Sequence, residues 1–125
     1  MQQAVKMDAI ADLKVRLTPL FKQYHIRKAI LFGSLARGEA TRRSDVDLIL
    51  IQETKKRFWD RYDGILLDMG QAISGRSVDI LIYTPTELEQ IKDRVFIRQA
   101  LNEGITLYER DKEYIRSAPL VADRA

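Results

Sequence analysis

Between residues 5 and 24 the apolar side chains Val5, Ile10, Leu13, Leu17, Leu20, Phe21 and Tyr24 recur mainly at steps of three and four. That spacing lays them along one stripe of an α-helix, and the stripe must face a core. Thr18-Pro19 interrupts the pattern. Either Pro removes a backbone donor and kinks the helix, or Thr caps a helix that restarts with Pro at its first position. Ala29-Ile30-Leu31-Phe32 is a short apolar run halted by Gly33-Ser34, and Val46 to Ile51 is another that begins among carboxylates. Both predict strands. Phe58, Tyr62, Ile65, Leu66, Met69 and Ile73 return to helical spacing. They predict a second long helix ending near Ser74-Gly75, where glycine accepts the left-handed cap conformation. Val78 to Tyr83 predicts a third strand, ended by Pro85 because proline cannot donate to a ladder. Leu88, Ile91, Val95 and Leu101 predict a further helix stopped at Gly104, and Ile105 to Tyr108 a short last strand.

Helices alternating with short strands indicate an α/β or α+β domain, a small mixed sheet of about four strands flanked by helices. The pattern does not order the strands. Residues 1–110 form the expected domain; from 111 to 125 three positive and three negative charges follow one another without periodicity, which predicts a loosely ordered tail. With 125 residues, 46% of them hydrophobic, the chain can bury a core without covalent staples. It has no cysteine, so disulfides and thiolate metal sites are excluded. No secretory pattern opens it and no apolar run approaches the roughly 20 residues that cross a bilayer, so a cytoplasmic protein without a membrane partner is expected.

Charge changes this picture little. Twenty-one basic and 18 acidic side chains leave a net of +3, and the local basic clusters are Arg42-Arg43 and Lys55-Lys56-Arg57. These read as solvated surface. A dedicated nucleic-acid binder carries a basic stripe with exposed aromatics, so direct nucleic-acid binding is not expected.

The chemistry lies in three acids and one turn. Strand side chains alternate faces, so Asp45 and Asp47 project together, with Cα atoms roughly 6 to 7 Å apart. Two neighbouring carboxylates resist joint ionisation unless a cation lies between them, and hard oxygen donors on a strand suit magnesium. Asp79 sits among Val78, Ile80, Leu81 and Ile82, where a buried ionised carboxylate needs a buried base, a capped turn or a metal to compensate it. The metal reading gains weight if its strand lies beside that of Asp45 and Asp47. Gly33-Ser34 follows a strand, and Leu35-Ala36-Arg37 can begin a helix whose free amides attract phosphate. Gly33 permits close backbone approach, the Ser34 hydroxyl can donate to a phosphate oxygen, and Gly38 lets the chain leave the turn. Gly33 to Gly38 also matches the first half of a P-loop. Glu39 and Ala40 stand where that loop needs Lys and Ser or Thr, so the P-loop is rejected.

Gly33-Ser34, the ten residues from Leu35 to Ser44, and Asp45-Val46-Asp47 resemble the GS-x10-DxD signature of minimal nucleotidyltransferases in the DNA polymerase β-like superfamily. The resemblance covers Ile30 to Gly38 and Ser44 to Leu48 most closely and extends loosely to Tyr108. It implies a polymerase β-like fold, triphosphate contact by Ser34, metal binding by Asp45 and Asp47, and Asp79 as third acid. The expected cofactor is Mg2+, as two ions, with ATP as substrate. Relatives commonly carry Arg at the position of Leu35, which removes one phosphate contact; Arg37 remains available. Arg37, Arg42 and Arg43 serve either as phosphate partners or as solvated loop charges.

His25, alone between helix and strand, reads as a loop or cap residue, Phe58 and Trp59 as core or staple residues or, if exposed, an interface anchor, and Tyr108 as packing for the last strand. Larger superfamily members add a domain that holds the acceptor, so a homo-oligomer or a separate partner is expected to supply it here. Free-standing minimal nucleotidyltransferases are often paired with helical HEPN toxins, to which they transfer AMP at a tyrosine, acting as antitoxins. The resemblance therefore implies protein adenylylation. Transfer to a small molecule, transfer to an RNA end, and neutralisation of the partner by binding alone stand as alternatives.

Overall fold

The computed structural model describes the backbone of residues 2–110 other than 40, 42, 43 and 74, and side chains from residue 9 onward. The expected tail, the Arg42-Arg43 cluster and Ser74 lie outside the described residues. Helix α1 (Gln2–Gln23) leads into strand β1 (Ile26–Phe32), and a single-turn helix α2 (Ser34–Arg37) precedes β2 (Val46–Gln52). A 3-10 turn (Phe58–Tyr62) and α3 (Ile65–Ala72) lead to β3 (Val78–Tyr83), followed by α4 (Pro85–Ile91), α5 (Val95–Glu103) and β4 (Ile105–Glu109).

The four strands form one mixed sheet in the order β3-β2-β1-β4. β1 runs antiparallel to both β2 and β4, while β2 and β3 are parallel. Alternation divides the strand side chains between two cores. Ala29, Leu31, Leu48, Leu50, Ile80 and Ile82 pack with Leu13, Leu17 and Phe21 of α1 and with Ile65 and Met69 of α3. Ile30, Phe32, Ile49 and Ile51 face the other way, against Ala100 and Leu101 of α5 and Leu88 of α4. Tyr108 is buried in the larger core, its ring 5.5 Å from that of Phe21.

Two expected elements differ, and at Thr18-Pro19 one of the two readings is excluded. α1 continues through Pro19 without a restart, and the Thr18 hydroxyl donates to the Lys14 carbonyl at 2.6 Å. The second long helix is broken: Gly64 adopts φ +80, and a Cβ there would lie 2.9 Å from the Tyr24 hydroxyl, so a 3-10 turn and α3 replace one continuous helix. The helix read through Leu88 to Leu101 is likewise two, α4 and α5, with Lys92, Asp93 and Arg94 between them. Trp59 is no core residue, being 80% exposed. His25 ends α1 with φ 57, the cap role read for it.

α4 starts where β3 stops. The Thr84 hydroxyl accepts from the Glu87 amide and Glu87 accepts from the Thr84 amide, a capping box with Pro85 in the first helical turn. The Glu87 carboxylate also receives both terminal nitrogens of Arg61, at 2.6 and 2.9 Å, and so ties the 3-10 turn to α4.

Candidate active site

Asp47 and Asp79 are direct register partners across the parallel β2–β3 pair. The adjacency on which Asp79 depended is therefore present. Its reason differs, because Asp79 is exposed rather than buried, so no desolvation has to be offset there. Asp47 is half-buried, and Asp45 stands exposed one residue before β2 begins. On the other side of Asp47 its antiparallel partner is Phe32, at the end of β1, immediately before Gly33.

Gly33 turns the chain with φ 79 and ψ −159, a conformation that is essentially closed to side chains. A Cβ at Gly33 would fall 2.2 Å from the Asp47 Oδ2. Glycine is thus required first by the approach of Asp47 to this backbone. The turn is locked by Arg37 N donating to the Gly33 carbonyl at 3.1 Å and Glu39 N to the Ser34 carbonyl at 2.9 Å, with Gly38 left-handed at its exit. Leu35 and Ala36 are buried in the larger core and anchor the turn from behind. The Leu35 side chain belongs to the packing, and Arg37 is the cation on the open side.

The loop that delivers Asp45 is tied down by residues with no evident sequence signal. Arg76 Nη1 donates to the Thr41 and Ser44 carbonyls, each at 2.9 Å, and the Val46 amide bonds the Ser77 carbonyl at 2.8 Å. Thr41 N donates to Ser44 Oγ at 2.8 Å within the same loop.

Gly33, Arg37, Asp47 and Asp79 border a cleft of about 530 Å³, whose lining includes neither Ser34 nor Asp45. Its polar wall holds Gly33, Arg37, Asp47 and Asp79; its other wall is the face of α5 bearing Phe96, Gln99, Ala100 and Glu103. The spacing 96, 99, 100, 103 was a legible helical face, but no sequence feature tied it to the turn. Glu103 accepts from the Gly33 amide at 3.2 Å and from Arg37 Nη1 at 3.1 Å. Arg37 Nε donates to Glu39 at 2.9 Å, and these carboxylate partners raise the guanidinium's pKa.

The electrostatics of the acids are strained. Burial, then the charges of Asp79 and Asp45 and a hydrogen bond with Asp79, push the Asp47 carboxyl up to about 6, partly offset by Arg37. A divalent cation would relieve that repulsion, and the donors are hard oxygens. Among the described residues no three acidic or imidazole side chains converge into a ready-made metal cage. Magnesium commonly binds through one or two carboxylates, with waters and substrate phosphates completing its shell, so the chemistry of the donor set fits.

A mixed sheet with a glycine turn at the end of one strand and register-paired acids on the next two defines a nucleotidyl-transfer platform. Residues 16–113 match the family described as polymerase beta, nucleotidyltransferase, and the chain belongs to that family of nucleotidyltransferases. A Methanocaldococcus jannaschii protein named as a candidate protein adenylyltransferase is 27% identical over 100 residues, which span 77% of this chain and 95% of the relative. The crystal structure of a candidate nucleotidyltransferase from Sulfolobus solfataricus shares the fold, with a TM-score of 0.57 at 18% identity over 89% of each chain.

Proposed function

We propose that this nucleotidyltransferase transfers AMP from ATP to a hydroxyl of a partner protein, a tyrosine of a helical HEPN-type toxin, and so acts as an antitoxin. The observation that carries the reading is the register pairing of Asp47 with Asp79 directly beside the Gly33 turn in one cleft. Asp45, Asp47 and Asp79 would hold Mg2+, and Gly33, Ser34 and Arg37 would receive the triphosphate. Bound magnesium neutralises phosphate oxygens and acidifies the attacking hydroxyl. The protein's own part is orientation: Gly33 and Arg37 hold the phosphates, and the paired strands present the acids beside them on the same polar wall. The acceptor oxygen then bonds to the α-phosphorus as the bond to the bridging oxygen of pyrophosphate breaks. Asp79, exposed at the cleft, takes the hydroxyl proton.

Protein as acceptor is supported by the relative named a candidate protein adenylyltransferase, which the match spans almost completely. The HEPN assignment rests on the GS-x10-DxD resemblance. Among the described residues, no helix is long and apolar enough to cross a membrane. Where its gene neighbour encodes a helical protein, incubation of the two with ATP and magnesium should add one or more AMP units to that neighbour by intact mass, and none with Asp45→Asn. An unmodified neighbour alongside rapid adenylylation of a free small molecule would overturn the protein-acceptor reading.

A further inference from the structure

The anion seat of the cleft is already filled by the protein itself. Glu103 Oε1 lies 3.2 Å from the Gly33 amide nitrogen and 3.1 Å from Arg37 Nη1, and Oε2 lies 3.4 Å from the same nitrogen. One carboxylate thus engages the backbone donor and the guanidinium that a phosphate would use. The side chain is only 19% exposed, against 40% for Arg37, so Glu103 lies beneath the cation and not at the cleft rim.

The location is electrostatically poor for an acid. Glu103 is the last residue of α5, where the helix dipole is negative and no basic residue occupies the final turn. It shares the cleft with Asp47 and Asp79. Its contacts with Gly33 and Arg37 compensate for that, and both contacts are with the groups assigned to the triphosphate. The Gly33 amide has a single hydrogen, so a phosphate cannot take it while this carboxylate holds it, and it meets the carboxylate's charge at Arg37 Nη1 as well.

We infer that Glu103 is an internal stand-in for phosphate, a positioning residue that holds Gly33 and Arg37 ready in the empty enzyme and is displaced when the triphosphate binds. The inference rests on the phosphate role of this turn. Displacement lowers the apparent affinity for every phosphate ligand by the fraction of time the seat is free. It leaves affinity for an unphosphorylated nucleoside unchanged.

The test measures binding of tripolyphosphate, Mg-ATP and adenosine to wild type, Glu103→Gln and Glu103→Asp by calorimetry. Glu103→Gln removes the competing charge and should bind tripolyphosphate roughly tenfold more tightly, with unchanged adenosine binding and a lower melting temperature of the empty protein. Glu103→Asp keeps the charge but withdraws it by one methylene, so its tripolyphosphate affinity should fall between the two. A purely supporting role for Glu103 predicts the reverse: weaker tripolyphosphate binding in Glu103→Gln as Arg37 loses its brace. Weaker or unchanged binding there, with wild type still binding Mg-ATP, overturns the inference and leaves the proposed function standing. If neither wild type nor variant binds tripolyphosphate, the turn is no phosphate seat and both fall.

Discussion

Asp47 carries the electrostatic strain of the cleft, and its pH behaviour follows from the direction of its shift. The folded carboxyl titrates at about 6 against an ordinary 3.8, so the folded state binds this proton more readily than the unfolded chain does. As pH rises from 3.8 through 6 the folded protein therefore loses stability at this position, and above 6 the full penalty is present. Asp47→Asn removes the charge. In chelator, the variant should melt at a higher temperature than wild type at pH 7.5, and the gain should vanish by about pH 4, while transfer is abolished. Equal melting temperatures at pH 7.5 would refute the strain. At Gly33 the constraint is steric. Gly33→Ala forces a Cβ against Asp47 Oδ2 and a left-handed backbone on a side chain. Transfer should fall on the order of 100-fold, as expected when a reacting group is displaced by an ångström. Ser34→Ala leaves the backbone and Arg37 intact and should cost roughly tenfold, the worth of one hydrogen bond to a charged ligand.

The elements around the cleft are joined by a few polar contacts, and the joint at Glu87 is the most exacting. Arg61 is buried, its side chain 5% exposed, and it spends its guanidinium on Glu87 and on the Ile82 carbonyl at 3.3 Å. Glu87 in turn closes the cap of α4. Pairing with Arg61, helped by the Thr84 amide, holds the Glu87 carboxyl down at about 2 against an ordinary 4.5. Its stabilising contribution is therefore present above pH 4.5 and is lost as the pH falls toward 2. Glu87→Gln should cost about 2 kcal/mol at pH 7 in denaturant unfolding, because the buried guanidinium loses its charged partner. Thr84→Ala should cost about 1 kcal/mol. The two share one carboxylate, so the double variant should cost less than the sum. Strict additivity would show that the cap and the ion pair act independently.

At the scale of the whole molecule, strand order makes the site. With β2 between β1 and β3, the end of β1 delivers Gly33 to one side of Asp47 and β3 delivers Asp79 to the other. α5 then closes the second wall with Phe96 and Glu103. Such an assembly should respond to its ligands as a unit. Chelation should abolish transfer and magnesium restore it, and saturating Mg-ATP at about 100 times its dissociation constant should stabilise the fold by about 2.7 kcal/mol. A chelated protein that still transfers AMP at the wild-type rate would refute the metal site.

Read from the chain alone, local rules were enough wherever they were decisive. Continuous apolar runs bounded by breakers marked β2, β3 and β4 nearly to the residue, and Gly33-Ser34 with Asp45-Val46-Asp47 marked the family because their spacing is local. β1 was read short by three residues, since Arg27 and Lys28 interrupt the apolar run although Ile26 and Lys28 pair with β2 across a register shift. The two merged helices failed for a related reason. Helical periodicity persists across a turn, and the positive φ of Gly64, beside the Tyr24 hydroxyl from 40 residues earlier, marks the break in the first. Trp59 resembled core because hydrophobicity records what a side chain prefers, while its 80% exposure depends on what folds around it. The sequence by itself determined where helices and strands lie in broad order and the local motif. Tertiary structure alone decided that Asp79 stands opposite Asp47, that Arg76 ties down the loop before Asp45, and that Glu103 reaches the Gly33 amide and Arg37. Each of these is a contact between residues more than 30 positions apart, and no periodicity or propensity encodes which distant strand or helix will lie alongside.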